Sequence, residues 1–318
     1  MNRSDGEAGS AMSANARSYL AKALNIMEEN ALARHQVDWT ETRREAFSRA
    51  RAAQNPSDTY GAIRFALRTA GSGHSSFFEP AQAEETLEAS PDSSFQGPEG
   101  RSLGDRVGHL SLPAVQGSEA AYERYVRLGR TAVAQADRPR ACAWIVDLRG
   151  NHGGNMWPML DVAGPILGDG KVGMFVDPDG ETYPWTIQDG SPYENGRRHS
   201  RGGSAPVANP GAPVAVLTDG MTASSGEAVL VAFRGRPYTR SFGEDTYGVP
   251  TGNNGHRLSD GAVLVLTETK DADRTGRSYD APIPPDEEVR TSGFRSGTYG
   301  DDVLRAAKNW LLQQPACR

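Results

Sequence analysis

Ser224 and His74 are the two residues whose types and settings suit covalent chemistry. Ser224 lies in the run Thr-Ala-Ser-Ser-Gly-Glu, between an apolar stretch at 214–217 and a helical pattern that begins at Glu227. The unpaired N–H groups and the positive dipole end of a helix N-terminus stabilise negative charge, so a serine there is a candidate nucleophile. Serine is also a common N-cap, and a purely structural role is the alternative. His74 lies in a loop of Gly and Ser, either as a general base or as an ordinary solvent-facing residue.

A serine hydrolase needs a nucleophile, a base, a group that orients the base, and donors for the oxyanion. Gly153 and Gly154 follow an apolar strand pattern that ends at Leu148, and their N–H groups are candidate donors. Loops that follow neighbouring parallel strands meet at the carboxyl edge of the sheet, which would bring these segments together. The sequence contains no GxSxG, P-loop, GxGxxG, HExxH or CxxC, so we expect no metal, no organic cofactor and no common nucleophile elbow.

The elements that would position these residues indicate an α/β fold. A strand at 107–112, a helix at 118–136 and a strand at 141–148 predict a parallel pair, with His109 in a packing role. Helical patterns near 19–32, 38–50 and 60–70 predict a small N-terminal helical bundle. The chain therefore divides into a flexible leader at 1–15, a helical region at 16–80, a connector at 81–105 and an α/β core at 106–318.

Composition limits the class of protein further. With 318 residues, 37% hydrophobic content, 36 Gly and 20 Pro, the chain reads as a loop-rich globular protein. A net charge of −6 with well-mixed signs argues against nucleic-acid and membrane partners. Cys142 and Cys317 are too few for a disulfide framework, so each is expected to be a free thiol. Because the N-terminus also lacks an apolar signal segment, we expect a cytoplasmic protein, with a homo-oligomer left open.

Several motifs together resemble peptidase family S41, which includes the C-terminal processing proteases and the tricorn core protease. They are DLRGNHGGN at 147–155, TASSGEAV at 222–229, GEDTYG at 243–248 and PPDEEV at 284–289. The resemblance implies a crotonase-like (ClpP/crotonase) α/β core behind a small helical region. The short connector leaves no room for the PDZ domain that many members carry.

By position, the resemblance makes Ser224 the nucleophile and Glu227 the glutamate of the same motif. Processing proteases use a lysine after the GExTxG segment, but Val249 occupies that position here. The tricorn-like branch uses a histidine ahead of the core instead, and the loop GSGHSSF is similar to its loop. His74 is then the base.

The third catalytic member is less well matched. The family glutamate falls at Tyr279, so Asp280 beside it is the first choice to orient the base from a buried position. Glu227 or Asp271 could serve instead. The resemblance further implies that the N–H groups of Ser225 and of Gly153 or Gly154 hold the oxyanion. His152 replaces the first glycine of the family's loop, either at the loop edge or in contact with substrate.

Together these features predict a serine peptidase that cleaves a peptide or protein substrate through an acyl-enzyme. Two alternatives remain open. One is a hydrolase or acyl-transfer enzyme that uses the same site on a specialised small molecule, because a fold and a triad do not fix a substrate. The other is a binding protein that keeps the cleft without the chemistry.

Overall fold

The computed structural model of the chain describes residues 11–70, 73–87, 95–138, 140–199, 206–290 and 301–318. Its α-helices are α1 (Ala14–Asn30), α2 (Trp39–Arg49), α3 (Tyr60–Ala70), α4 (Pro80–Leu87), α5 (Glu119–Ala136), α6 (Met156–Leu167), α7 (Ser225–Phe233) and α8 (Asp302–Leu312). Short 3₁₀ helices lie at Pro56–Thr59 and Pro315–Cys317. Within these described ranges, no helix combines the length and the apolar character needed to cross a membrane.

The strands are β1 (Ser76–Phe78), β2 (Glu99–Ser102), β3 (Val107–Ser111), β4 (Ala143–Asp147), β5 (Gly170–Val176), β6 (Thr182–Gln188), β7 (Ser191–Glu194), β8 (Arg197–Arg198), β9 (Val214–Thr218), β10 (Thr239–Gly243), β11 (Thr251–Arg257), β12 (Val263–Asp273), β13 (Ser278–Tyr279) and β14 (Glu287–Glu288). The chain forms two compact units. The smaller contains Met1–Glu85, Asp177–Asp179 and Asn253–Thr269, and the larger contains the remaining residues.

The smaller unit packs α1, α2 and α3 around a buried apolar cluster. The strand β1 pairs antiparallel with residues 263–265 of β12. Residues 253–269 belong to this unit, although the sequence pattern assigned them to the α/β core. One anchor is Asp260, whose carboxylate accepts hydrogen bonds from the hydroxyls of Tyr19 at 2.7 Å and Tyr60 at 2.6 Å.

The larger unit is built on a sheet in the order β14-β10-β9-β4-β3-β2. Strands β3, β4, β9, β10 and β14 are parallel to their neighbours, and β2 pairs antiparallel with β3 at the edge. This confirms the predicted parallel pair at β3 and β4. The carboxyl ends of β4, β9 and β10 therefore lie side by side, and the loops that follow them carry the candidate site.

Both faces of this sheet are covered, which explains why its strands are apolar at consecutive positions. On one face, Trp144 and Val146 of β4 pack in a core with residues of α5, α6 and α7. On the other face, Ala143 and Ile145 pack against α8. Complete burial of one large apolar side chain contributes about 1.5–3 kcal/mol, so these alternating contacts fix the register of β4 firmly.

The remaining strands of the larger unit form antiparallel pairs. The order β5-β6-β7-β8 continues from residues 270–273 of β12, which pair with β5, and β13 pairs with β12 as well. Trp185 of β6 and Phe175 of β5 meet edge to face, with ring centroids 4.7 Å apart. This sheet reaches α6, the helix that follows the glycine loop, through Trp157.

Three sequence-based expectations are corrected. The connector contains α4 and the edge strand β2, which the polar pattern Glu-Gly-Arg-Ser hid. The leader is shorter than predicted, because α1 begins at Ala14; residues 1–10 of that leader lie outside the described residues. Cys142 and Cys317 are not free thiols but form a disulfide across 175 positions. The expected cytoplasmic location stays a prediction without the support of free thiols.

His109 has the packing role that its strand context predicted. It is buried in β3, and its Nε2 lies 3.2 Å from Asp147 Oδ2. Asp147 also binds Arg149, whose guanidinium reaches Asp301 at the start of α8. Burial alone would raise the pKa of Asp147, but hydrogen bonds from Arg149 and His109 hold that pKa well below its ordinary range.

Candidate active site

Ser224 lies at a sharp turn between β9 and α7. Its backbone has φ 52° and ψ −119°, a conformation that non-glycine residues seldom adopt and that costs on the order of 1–3 kcal/mol. Such a strained strand-to-helix turn is the backbone form of a nucleophile elbow. The expectation that the missing GxSxG motif excludes an elbow is therefore wrong. Thr222 stands at the first glycine position of that motif and Gly226 at the second.

The side chain of Glu227 holds the turn at Ser224 in place. Its buried carboxylate accepts hydrogen bonds from Ser224 N–H at 2.8 Å and Val249 N–H at 2.9 Å through Oε2. Through Oε1 it accepts from the hydroxyl of Thr246 and from Gly248 N–H at 3.0 Å. Burial raises the pKa of Glu227, and these four hydrogen bonds oppose that rise. Glu227 therefore joins the nucleophile turn to the segment after β10.

The glycine loop after β4 is tied to the same turn. Asn151 is fully buried; its amide donates to Leu112 O at 2.8 Å, and its backbone oxygen accepts Ala223 N–H at 2.9 Å. The carboxylate of Asp219 accepts Gly150 N–H at 3.0 Å. Two loops from neighbouring strands are thus locked together at the carboxyl edge of the sheet.

Gly153 lies directly against the candidate nucleophile. A Cβ added at Gly153 would stand 2.8 Å from Ser224 Cβ and 3.2 Å from Ser224 Oγ. Its own N–H donates to Asn151 Oδ1 at 3.0 Å, so Gly153 is the weaker of the two candidate oxyanion donors. The Gly154 carbonyl accepts the Ser225 hydroxyl at 2.7 Å, which brings Gly154 beside the other candidate donor. The structure brings these four residues together.

His74 belongs to the smaller unit, between α3 and β1. Its backbone oxygen accepts a hydrogen bond from Asn253 Nδ2 at 3.3 Å. The next residue, Ser75, exchanges hydrogen bonds with Thr267, so the chain is tied to β11 at His74 and to β12 at Ser75. Burial lowers the pKa of the His74 imidazole below 6.5, which favours its neutral, proton-accepting form.

The structure does not give Asp280 the burial expected of an orienting acid. Its side chain is 66% exposed and accepts a hydrogen bond from Lys270 Nζ at 2.9 Å. The neighbouring Tyr279 is buried, and its hydroxyl donates to Asp273 at 2.7 Å. An exposed carboxylate that is already paired with lysine is poorly suited to hold an imidazole tautomer.

Asp271, one of the two alternative acids, is fully buried at the end of β12. Among the residues that the structure describes, neither of its carboxyl oxygens has a hydrogen-bond partner. Burial and the nearby charge of Glu227 raise the pKa of Asp271 well above its ordinary value. Both effects favour the protonated form of the Asp271 carboxyl.

His152 points outward from the glycine loop and is exposed, in keeping with a position at the loop edge. Two positioning residues, Asn151 and Asp219, were not assigned a role from the sequence. A local signal existed for Asn151, because an asparagine side chain in a turn often accepts a hydrogen bond from the backbone two residues on. Across the described ranges, no group of three or more His, Cys, Asp or Glu side chains could hold a metal ion.

The chain is similar to known proteins over most of its length. A family model described as Peptidase family S41 matches residues 106–289. The nisin-resistance protein of Lactococcus lactis subsp. lactis is 30% identical over 283 residues, which cover 87% of this chain and 84% of that protein. A lipoprotein from Streptococcus agalactiae has a similar fold, with a TM-score of 0.73, 23% identity and coverage of 94% and 96%. The photosystem II D1 C-terminal processing protease also has a similar fold, with a TM-score of 0.64, 15% identity and coverage of 93% of this chain and 98% of that one.

Proposed function

The chain belongs to peptidase family S41, and on that premise we propose that Ser224 is the nucleophile and His74 the general base of its peptide-bond cleavage. Serine peptidase activity is the property of the family. The roles of Ser224 and His74 are proposed for this chain in particular. The observation that carries it is the strained turn at Ser224, held by Glu227 and lying directly against Gly153.

In the proposed reaction, Ser224 Oγ attacks the peptide carbonyl carbon while its proton passes to His74. The carbonyl π electrons move to oxygen, and the N–H groups of Ser225 and Gly154 stabilise that negative charge. Collapse of the intermediate breaks the C–N bond, and His74 gives its proton to the departing amine. A water molecule then loses a proton to His74, cleaves the ester and restores the Ser224 hydroxyl.

The strained backbone conformation of Ser224 favours the proposed reaction. A serine held at φ 52° presents its hydroxyl at the tip of the turn, ahead of the first N–H groups of α7. The macrodipole of α7 adds to the stabilisation of negative charge at that point. We assign Glu227 and Asn151 to positioning, because the side chain of each accepts a hydrogen bond from a backbone N–H of one of the two loops.

We do not assign the orienting role to Asp280. The exposed ion pair of Asp280 with Lys270 speaks against it, so we propose a Ser224–His74 dyad. We further propose that the α/β core is crotonase-like and that the helices of the smaller unit form the small N-terminal bundle of that architecture. The name of the Lactococcus relative makes nisin a first candidate substrate to test.

A fluorophosphonate probe tests the proposal directly, because it reacts only with an activated serine. We expect labelling of the wild-type protein, none of Ser224→Ala, and a large loss in His74→Ala. Ser278→Ala is a matched control, since Ser278 is an exposed serine of the same unit. His256→Ala serves likewise for His74.

Labelling that survives Ser224→Ala would refute the nucleophile assignment. Turnover of esters without any peptide cleavage would favour the specialised acyl-transfer enzyme. A wild-type protein that neither reacts nor cleaves would favour the binding protein.

A further inference from the structure

Two large apolar side chains are exposed beside the nucleophile turn. Met221 is 59% exposed and Tyr247 is 66% exposed. The Tyr247 N–H donates to Thr222 O at 2.9 Å, so Tyr247 lies next to the residue that follows Met221. Among the described residues, the other exposed large apolar side chains are Tyr238, at 64%, and Leu128, at 38%. Two of these four side chains therefore lie on the nucleophile turn or on the segment hydrogen-bonded to it.

The backbone beneath both side chains is firmly held. Met221 N–H donates to Asp219 Oδ1 at 3.0 Å. Tyr247 stands between Thr246 and Gly248, and both of these donate hydrogen bonds to Glu227. The carboxylate that fixes the nucleophile turn thus also fixes the position of Tyr247.

Close packing also holds the backbone next to Tyr247. Gly248 has φ +105°, and a Cβ at that position would stand 2.6 Å from Pro282 Cδ. Single exposed apolar residues are normal on protein surfaces, but two on a fixed backbone beside a candidate nucleophile are placed to contact a bound substrate. Met221 lies on the nucleophile turn and Tyr247 lies on the segment hydrogen-bonded to that turn, so a group that contacts both side chains lies near the bond that Ser224 attacks.

We propose that Met221 and Tyr247 form a substrate contact site that receives an apolar side chain next to the scissile bond. The inference rests on the proposed function, because it uses Ser224 as the reacting group. The occupant is the side chain of a peptide substrate, of the Leu, Met or Phe type. A thioether and an aromatic ring adapt well to such side chains, since methionine is flexible and the tyrosine ring offers a flat apolar face.

The test compares two peptides that differ only beside the cleaved bond, one with Leu and one with Ser. An apolar contact of this size changes kcat/KM by roughly 10–200-fold, so the wild-type protein should prefer the Leu peptide by at least about tenfold. Tyr247→Ser and Met221→Ser should each reduce that preference several-fold, and Tyr247→Leu should retain most of it.

Tyr238→Ser is the matched control. Tyr238 is 64% exposed, almost as much as Tyr247, but it precedes β10 and so lies at the amino end of the parallel strands. This variant should keep the wild-type preference. Fluorophosphonate labelling of Ser224 in each variant shows whether the nucleophile turn survived the substitution.

The outcomes separate this inference from the proposed function. A wild-type protein that does not label would overturn the proposed function and the inference together. Normal labelling with no preference for the Leu peptide, or with a preference that none of the Tyr247 and Met221 variants alters, would overturn the inference alone. If Tyr247→Ser loses labelling, the test uses the preference for the Leu peptide in Tyr247→Leu and in Met221→Ser instead. Equal preferences in these two variants would also overturn the inference.

Discussion

The backbone N–H of Ser224 donates to Glu227 Oε2 at 2.8 Å, so the glutamate holds the main chain of the serine that carries the reactive hydroxyl. This bond, together with the three that Glu227 accepts from the segment after β10, maintains a backbone conformation that serine does not favour. Glu227 therefore acts on the position of the nucleophile, not on its proton.

Replacement of Glu227 should show the separate contributions of its two carboxylate oxygens. In Glu227→Gln the amide oxygen can still accept from Ser224 and Val249, while the NH₂ group can face Thr246 and Gly248. Gly248 N–H then loses its acceptor, so the free energy of unfolding, measured in urea, should fall by about 1–3 kcal/mol. Glu227→Ala removes all four acceptor contacts and should lower stability further.

Fluorophosphonate labelling should follow the same order. We expect labelling of Glu227→Ala to be at least about tenfold slower than that of the wild type, with Glu227→Gln in between. A Glu227→Ala protein that folds and labels at the wild-type rate would show that the turn does not need this carboxylate.

Gly153→Ala should stop catalysis through a direct clash. The new Cβ would stand 2.8 Å from Ser224 Cβ, and alanine is strained at φ +105°. We expect kcat/KM to fall by at least about 100-fold, the size of effect produced by loss of an oxyanion donor. Gly150→Ala is the control, because Gly150 also has positive φ, at +72°, but no heavy atom lies within 4 Å of its added Cβ. Equal activity losses in the two variants would contradict the clash.

Asp271 should make the protein less stable as pH rises. Its pKa is raised in the folded state, so the folded protein holds a proton that the unfolded chain releases above about pH 4. Stability then falls between the unfolded and the folded pKa, by up to about 1.4 kcal/mol per pH unit. Asp271→Asn cannot ionise, so in urea unfolding it should gain on the wild type as pH increases and show no such gain below pH 4.

Asp273→Asn is a control two residues away, for which we expect the opposite pH dependence of stability. The burial of Asp273 acts to raise its pKa, but hydrogen bonds from Thr275, Tyr279 and Arg277 outweigh it and lower that pKa. Its stabilising effect is present above the unfolded pKa and is lost as pH falls. Asp273→Asn should therefore be most harmful at neutral pH. If the two variants respond to pH in the same direction, the raised pKa of Asp271 is wrong.

The acidic limb of the pH–activity profile should lie below pH 6.5. Burial lowers the pKa of His74, and only the neutral imidazole can accept the Ser224 proton. Activity, measured as kcat/KM, should rise with pH through that lowered pKa and then level off. His256→Asn should keep the same limb, since His256 pairs with Glu268 elsewhere in the smaller unit. A midpoint above pH 6.5 would be inconsistent with a partly buried His74 as the base.

Reduction of the Cys142–Cys317 disulfide should destabilise the larger unit. The bond closes a loop of 175 positions and links the start of β4 to the chain after α8. Loss of such a bond typically costs about 2–5 kcal/mol. A lower melting temperature in dithiothreitol should be seen for the wild type but not for Cys142→Ala/Cys317→Ser. Equal sensitivity of both proteins to dithiothreitol would argue against the bond.

Local patterns made the elements of the site predictable. The helix predicted at 60–70 matches α3 residue for residue, and the apolar run at 214–217 matches β9 within one residue. Both depend on short-range causes, namely helical periodicity in one case and burial of both strand faces in the other. Ser224, Ser225 and Gly154 could be brought together because they follow neighbouring strands of one sheet.

Contacts between distant segments were not predictable in the same way. Nothing near Cys142 indicates Cys317 as its partner, because only the packing of α8 on the sheet brings them together. The strand β2 has a polar sequence and exists because β3 offers it a free edge. The exposure of Asp280 and the burial of Asp271 likewise depend on which side of β12 and β13 the fold covers.

The disulfide also changes what a cut in this chain would do. Cys142 precedes the glycine loop, the nucleophile turn and the segment after β10, and Cys317 follows them all. A single break in any loop between them yields two polypeptides that remain covalently joined. If one copy of this peptidase nicks another, the nicked molecule keeps its mass on a non-reducing gel and separates into fragments only after a reductant is added.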